Sequence, residues 1–226
     1  MNDLVILGAG GFAREVWWVC EEANQDHPKW NILGFVDEAP GTQGSLLCDL
    51  PVLGSFDWFE ASLGREKPHV ICGVGANSTR RRFAEKSRSL GLRFATLIHP
   101  TVRRSRFVEV GEGSVLCAGT VLTTQIRIGA HVNLNLNCTI GHDSVIEDFC
   151  NLSPGVNISG SVHLEEGVDI GTGAAVVPGR RVGRGSTVGA GAVVTSDVPP
   201  LSVAVGVPAQ VIKTSRSDDP NRDHTG

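Results

Sequence analysis

Two different periods divide the chain. Over residues 1–97 short apolar runs alternate with stretches of helical spacing. Leu4-Val5-Ile6-Leu7 stops at Gly8, as a buried parallel strand does. Phe12, Val16, Val19 and Ala23 then fall on one face of a helix. Ile32 to Val36 predicts a second strand closed by Asp37, and Val70 to Val74 a later one. A helix is expected from Ser78 to Leu90 and one more strand from Phe94 to Ile98. Strands alternating with helices define a βαβ sheet, here a small Rossmann-like unit.

From residue 110 the spacing changes. An aliphatic side chain returns at every sixth position, fifteen times without a miss, from Val110, Leu116 and Leu122 through His142's neighbour Ile140 to Val188 and Val194. Small residues or valine mostly sit four positions later, as at Ser114, Thr120, Cys138, Cys150, Val156 and Ala174. A period of six fits neither an α-helix nor a hairpin array. It fits a prism-shaped parallel β-helix with one short strand per hexad and three hexads per coil. Each aliphatic side chain then stacks inside the prism on its counterpart about 4.8 Å along the axis. The hand of the coil does not follow from the period. The expected fold class is α/β + β, with a domain over residues 1–97, a β-helix over 98–213 and a disordered tail over 214–226.

Composition narrows the function classes. The 226 residues include 41% hydrophobic side chains, enough for one or two packed domains. A net charge of −4 gives no reason to expect a nucleic acid or an anionic membrane. No apolar run approaches the ~20 residues of a spanning helix. Met1-Asn2-Asp3-Leu4 lacks a basic n-region, so a cytoplasmic protein is expected. The six cysteines contain no C-x-x-C, which argues against zinc and disulfides, and no metal is expected. Cys138 and Cys150 fall at inward positions and read as packing residues.

Two stretches carry candidate chemistry. Gly8-Ala9-Gly10-Gly11-Phe12-Ala13 is a G-x-G-x-x-A between strand and helix. Glycines there let the backbone approach a pyrophosphate, and a helix N-terminus faces it with free N–H groups. Asp37 closes the second strand, as in a dinucleotide fingerprint. The sheet region is short for a second mononucleotide half, so a nucleoside-diphosphate sugar fits better than a dinucleotide. The second stretch surrounds His142, two positions after inward Ile140 and directly before Asp143. That phase puts the imidazole at a coil corner, where it can project. Imidazoles suit proton removal near neutral pH, and a neighbouring carboxylate can fix the tautomer.

These stretches, with Gly34-Phe35-Val36-Asp37, Gly73-Val74-Gly75-Ala76-Asn77, Ile98-His99-Pro100, Gly141-His142-Asp143 and Val205-Gly206-Val207-Pro208-Ala209, resemble the NeuD/PglD-type sugar acetyltransferases of the hexapeptide-repeat superfamily. The resemblance covers residues 3–213. It implies a left-handed β-helix behind a nucleotide-sugar domain, acetyl-CoA as co-substrate, and a homotrimer with sites between neighbouring columns. Gly8, Gly10, Gly11, Phe12, Arg14, Asp37, Gly75, Asn77 and Arg80 would then bind the nucleotide sugar. His142 would be the general base, Asp143 its partner, and the Gly160 N–H the oxyanion donor, a term worth ~3 kcal/mol in comparable sites. Gly160, Thr172, Gly173, Pro178, Ala190 and Pro208 would cradle acetyl-CoA. Arg180, Arg181 and Arg184 are further candidates for its phosphates. The chain departs from several relatives at Asn151 and at Phe12, where they carry histidine. Asn151 can donate a hydrogen bond to the acetyl carbonyl but cannot titrate.

The implied reaction is N-acetylation of a nucleotide-linked amino sugar by direct attack on the thioester. O-acetylation of a sialic-acid-type sugar would use the same machinery with a hydroxyl nucleophile. A metal-dependent hydratase would need three histidines in register, and His131, His142 and His163 are not separated by multiples of 18. A non-catalytic trimeric sugar-binding scaffold is the remaining alternative.

Overall fold

The structure is a computed structural model that describes residues 1–26, 28–61 and 67–214. The chain divides into two compact units, Met1–His99 and Pro100–Gly226. Among the described residues no helix is long and apolar enough to cross a membrane.

The first unit is built on a six-stranded sheet. Its strands are β1 (Asn2–Leu7), β2 (Trp30–Val36), β3 (Leu46–Leu47), β4 (Leu50–Gly54), β5 (His69–Cys72) and β6 (Arg93–Phe94), in spatial order β3-β4-β2-β1-β5-β6. All neighbours are parallel except the β3–β4 hairpin. The helices are α1 (Gly11–Asp26), α2 (Asp57–Ala61) and α3 (Asn77–Ser89). Leu4, Val5, Ile6 and Leu7 are fully buried, which is why β1 reads as an unbroken apolar run at the centre of the sheet. The core between elements joins Val5, Leu7 and Val36 to Phe56, Phe59 and Phe83. Strand order reverses on either side of β1, with β2 on one side and β5 on the other. In open α/β sheets that reversal opens a crevice at the carboxyl ends of the strands.

The second unit is a left-handed parallel β-helix. Its ladders advance by 18 residues per coil: Val115, Asn133, Asn151, Asp169 and Thr187 align on one face, and Val121, Thr139, Asn157, Ala175 and Val193 on the next. The third face aligns Arg127, Val145, His163 and Arg181. The sixth-position aliphatics from Leu116 to Val194 are all buried. Burial of each contributes roughly 1.5–3 kcal/mol before chain entropy is counted. Polar residues at the inward small positions stitch corners together. Ser144 Oγ donates to the Ser159 carbonyl (3.0 Å) and accepts the Val162 N–H (3.2 Å), and Ser114 and Ser186 repeat the pattern.

Every coil corner turns through one residue in the left-handed region. Fourteen such residues, from Gly113 to Gly191, have φ between +53° and +75°. Eight are glycine, and the six others are Gln125, His131, Asn137, Asp143, Phe149 and Ser161. An antiparallel hairpin, Ser202–Val205 with Gln210–Thr214, closes the column. Thr214, expected to begin a disordered tail, pairs instead with Ser202; residues 215–226 lie outside the described residues. The single strand expected over Phe94–Ile98 is two short ones, Arg93–Phe94 and Leu97–Ile98.

Candidate active site

In the first unit a cleft of about 500 Å³ opens at the carboxyl ends of β1, β2 and β5. Gly8, Gly10, Gly11 and Phe12 form one wall, Asp37 and Glu38 a second, and Gly73 to Gly75 a third. The glycines serve two distinct ends. A Cβ on Gly73 would lie 2.6 Å from the Ala13 backbone, and one on Gly8 would lie 2.8 Å from Val74, so both are required by packing. Gly10 and Gly75 have nothing within 4 Å of a Cβ, and Gly11 has only the flexible Arg14 side chain at 3.8 Å. Internal packing gives no reason for glycine at these three positions. Close approach of an external ligand does, and the N-terminal turn of α1 offers it unsatisfied N–H groups.

The remaining predicted residues of this cleft play different parts. Arg80 is fully buried and donates to the carbonyls of Val74 (3.0 Å) and Gly75 (2.6 Å) and to Asn77 Oδ1 (2.5 Å). It is not a surface cation awaiting a phosphate: it props the loop after β5, and Asn77 is its partner. Arg14 is exposed and lies outside the lining. Asp37 lines the cleft, but Oδ2 accepts the Ala9 N–H and Oδ1 the Ala39 N–H, both at 2.7 Å, so the carboxylate braces the glycine turn. Sequence reading missed Thr79, Arg82 and Glu38 as lining residues. Glu38 pairs with Lys86 at 2.7 Å and lies 3.7 Å from Arg82. The charge run at residues 80–82 held the signal, but helical spacing was needed to separate buried Arg80 from Arg82 at the cleft.

In the second unit His142 stands on the corner between two faces, with a side chain 62% exposed and open to substrates. Its Nδ1 lies 2.7 Å from Asp143 Oδ2. The carboxylate accepts from Nδ1–H, which leaves Nε2 with a lone pair. One coil along, Gly160 sits under the ring: a Cβ there would come within 2.5 Å of His142 Nε2. The Ser161 N–H donates to the His142 carbonyl (2.7 Å) and fixes the register of the two coils. Among the described residues the Gly160 N–H donates to no protein acceptor. A lone pair and a spare N–H on neighbouring coils suit removal of a proton from a nucleophile and stabilisation of an oxyanion.

Asn151 is elsewhere. It lies half a coil from His142, outward on the face across the column, so one chain cannot bring both to the same carbonyl. Its amide belongs to a ladder: Asn133 Nδ2 donates to Asn151 Oδ1 (3.4 Å), and Asn151 Nδ2 donates to Asp169 Oδ1 (3.0 Å). The residues expected to cradle coenzyme A divide between corners. Pro178 shares the corner of Gly160 and His142, while Thr172, Gly173 and Ala190 occupy a neighbouring one, all exposed. Pro208 lies in the exposed turn between the last two strands. Arg181 is paired with Glu165, and Arg184 approaches Glu166 at 3.7 Å. Burial alone would raise the Glu165 carboxyl, but the Arg184 N–H and the Arg181 guanidinium outweigh it and hold the group below its ordinary value. Among the described residues the Arg180 side chain donates only to the Pro178 carbonyl. Among the described residues no group of three or more His, Cys, Asp or Glu could hold a metal ion. Burial pushes the Cys138 thiol up to about 11 and Cys72 up to about 12, which suits packing and not nucleophilic attack.

A Rossmann-like cleft in one unit and an exposed corner imidazole on the β-helix of the other are the features of the candidate site. The comparisons with known proteins narrow the class. Residues 3–87 match the PglD N-terminal domain family. The acetyltransferase domain of PglB from Neisseria gonorrhoeae is 34% identical, with a TM-score of 0.85 over 94% of this chain and all of that one. A variant of perosamine N-acetyltransferase from Caulobacter crescentus, in complex with CoA and GDP-perosamine, is 28% identical with a TM-score of 0.85 over 93% of this chain and 97% of that one. GDP-perosamine N-acetyltransferase of Escherichia coli O157:H7 is 28% identical over 69% of both chains. The chain belongs to the PglD-type sugar acetyltransferase family of the hexapeptide-repeat superfamily.

Proposed function

We propose that the chain transfers the acetyl group of acetyl-CoA to the amino group of a nucleotide-linked amino sugar, with His142 as general base. The observation that carries this reading is the exposed imidazole, tied to Asp143 through Nδ1 and packed over Gly160. Family membership supplies the acyl donor: the Neisseria domain has been solved with acetyl coenzyme A, and the Caulobacter enzyme holds CoA with GDP-perosamine. The Caulobacter enzyme also holds both ligands in variants in which a histidine is replaced by asparagine or alanine.

In this reading the glycine turn at Gly8–Gly11 and the N-terminus of α1 take the diphosphate. His142 Nε2 removes a proton from the amine as its nitrogen forms a bond to the thioester carbonyl. The negative charge on the carbonyl oxygen is met by the Gly160 N–H. Collapse of the tetrahedral intermediate breaks the C–S bond, releases the CoA thiolate and leaves the amide; the imidazolium returns its proton to the thiolate. No acyl-enzyme forms. We also read the working unit as a homotrimer acting in the cytoplasm, where acetyl-CoA and nucleotide sugars are made. Asn151 points away from its own His142, so it serves the same acyl group only if a neighbouring copy brings it.

The test is acetyl transfer to a panel of UDP-, GDP-, dTDP- and CMP-linked amino sugars and their hydroxyl analogues, with product analysis. A base-stable amide is the expected product. A base-labile ester would move the assignment to O-acetylation, and absence of acetyl-CoA binding and turnover would leave a sugar-binding scaffold.

A further inference from the structure

The left-handed corners of the β-helix carry a record of which side chains are kept against backbone preference. An L-residue other than Asn or Asp is disfavoured there, by roughly 1–2 kcal/mol relative to glycine. Eight of the fourteen corners are accordingly glycine. Four of the six exceptions have an evident reason. His131 and Phe149 are buried and stack on each other with ring centres 4.9 Å apart. Asn137 and Asp143 are the residue types that tolerate this conformation, and Asp143 also holds His142. Ser161 is small. Gln125 has no such reason: it is exposed, its φ is +53°, and among the described residues its side chain makes no hydrogen bond.

Its position supplies one. Gln125 lies 18 residues before Asp143, on the same corner one coil away, and its neighbour Thr124 accepts the Asp143 N–H at 3.2 Å. That rise of about 4.8 Å is comparable with the width of a pyranose ring. Gly160 and Pro178 lie on the other side of His142 along this corner, the side assigned above to the acyl donor. A carboxamide offers both donors and an acceptor, the set needed for a pair of neighbouring hydroxyls.

We propose that Gln125 is a substrate-binding residue that reads the acceptor sugar, hydrogen-bonding ring hydroxyls next to the amine that His142 deprotonates. This rests on the acetyltransferase reading above. The test compares wild type with Gln125→Gly, using the nucleotide-linked amino sugar that wild type acetylates and its deoxy analogue lacking the neighbouring hydroxyl. Gln125→Gly relieves the backbone, so the Tm should stay level or rise by about 2 °C. KM for the sugar should rise about tenfold while KM for acetyl-CoA is unchanged, and the preference over the deoxy analogue should vanish. Asn137→Gly, the same backbone change on another corner, should leave both KM values alone.

An unchanged sugar KM in Gln125→Gly overturns the proposal. So does a fall in Tm with both KM values rising together, which would make Gln125 a packing residue, or an equal effect from Asn137→Gly. A wild-type chain that acetylates none of the panel overturns the acetyltransferase reading itself, before Gln125 is in question.

Discussion

Glycine means opposite things in the two units. In the first, Gly10 and Gly75 occupy ordinary backbone with empty space beside them, and it is the glycine that lines the cleft. In the second, glycine is the default at a left-handed corner, and the departures from it gather around His142. The difference follows from what each unit asks of its backbone. A strand–helix turn brings main-chain N–H groups to a ligand, so side chains are in the way. A coil corner points its main-chain groups along the column, where the next coil takes them, so chemistry there needs side chains.

This contrast can be broken at single residues. Short of removing the imidazole itself, the largest effect is expected at Gly160, the glycine on the His142 corner whose bareness leaves room for that side chain. Its Cβ would push on His142 Nε2 at 2.5 Å. Gly160→Ala should lower kcat about 100-fold with the Tm nearly unchanged, measured by steady-state kinetics beside thermal unfolding. Gly10→Val and Gly75→Val come next: KM for the nucleotide sugar should rise about tenfold without loss of stability, because no protein atom is within 4 Å. Gly73→Ala sharpens the distinction. Its Cβ meets the Ala13 backbone at 2.6 Å, so the first unit should lose about 1–3 kcal/mol of stability, read as a lower denaturant midpoint.

The smallest effect concerns pH. His99, 3% exposed, packs its ring 5.1 Å from Trp18. Burial holds its imidazole below the ordinary value, against the pull of Glu22 in the other direction. A depressed value means the neutral ring belongs to the folded state. Its contribution is therefore whole above about pH 6.5 and is lost as pH falls below that. Wild type should lose a few degrees of Tm between about pH 7 and pH 5, and His99→Phe should lose less.

How much of this was legible in the sequence differs between the same two regions. The β-helix was readable almost residue by residue except for its hand, because a period of six fits a prism and the sixth-position residues from Leu116 to Val194 are buried. His142 was legible for the same reason: its phase against Ile140 fixed it to a corner. Asn151 was legible as an outward residue, but flanking similarity does not show that half a coil puts it across the column from its own His142. The first unit was legible in outline only. Arg80 and Asn77 bond each other and the loop, and no linear pattern distinguishes a cation that props a loop from one that meets a ligand. The β3–β4 hairpin, two and five residues long, carried too little periodicity to be seen.

The central claim is that His142 acts on bound substrates and does not help to bind them. Calorimetric titration of His142→Ala with acetyl-CoA and with the nucleotide sugar, beside its kcat, tests this most directly. The account predicts both dissociation constants within about threefold of wild type and a kcat lower by 100-fold or more. Near-normal turnover, or loss of either ligand in step with activity, would contradict it.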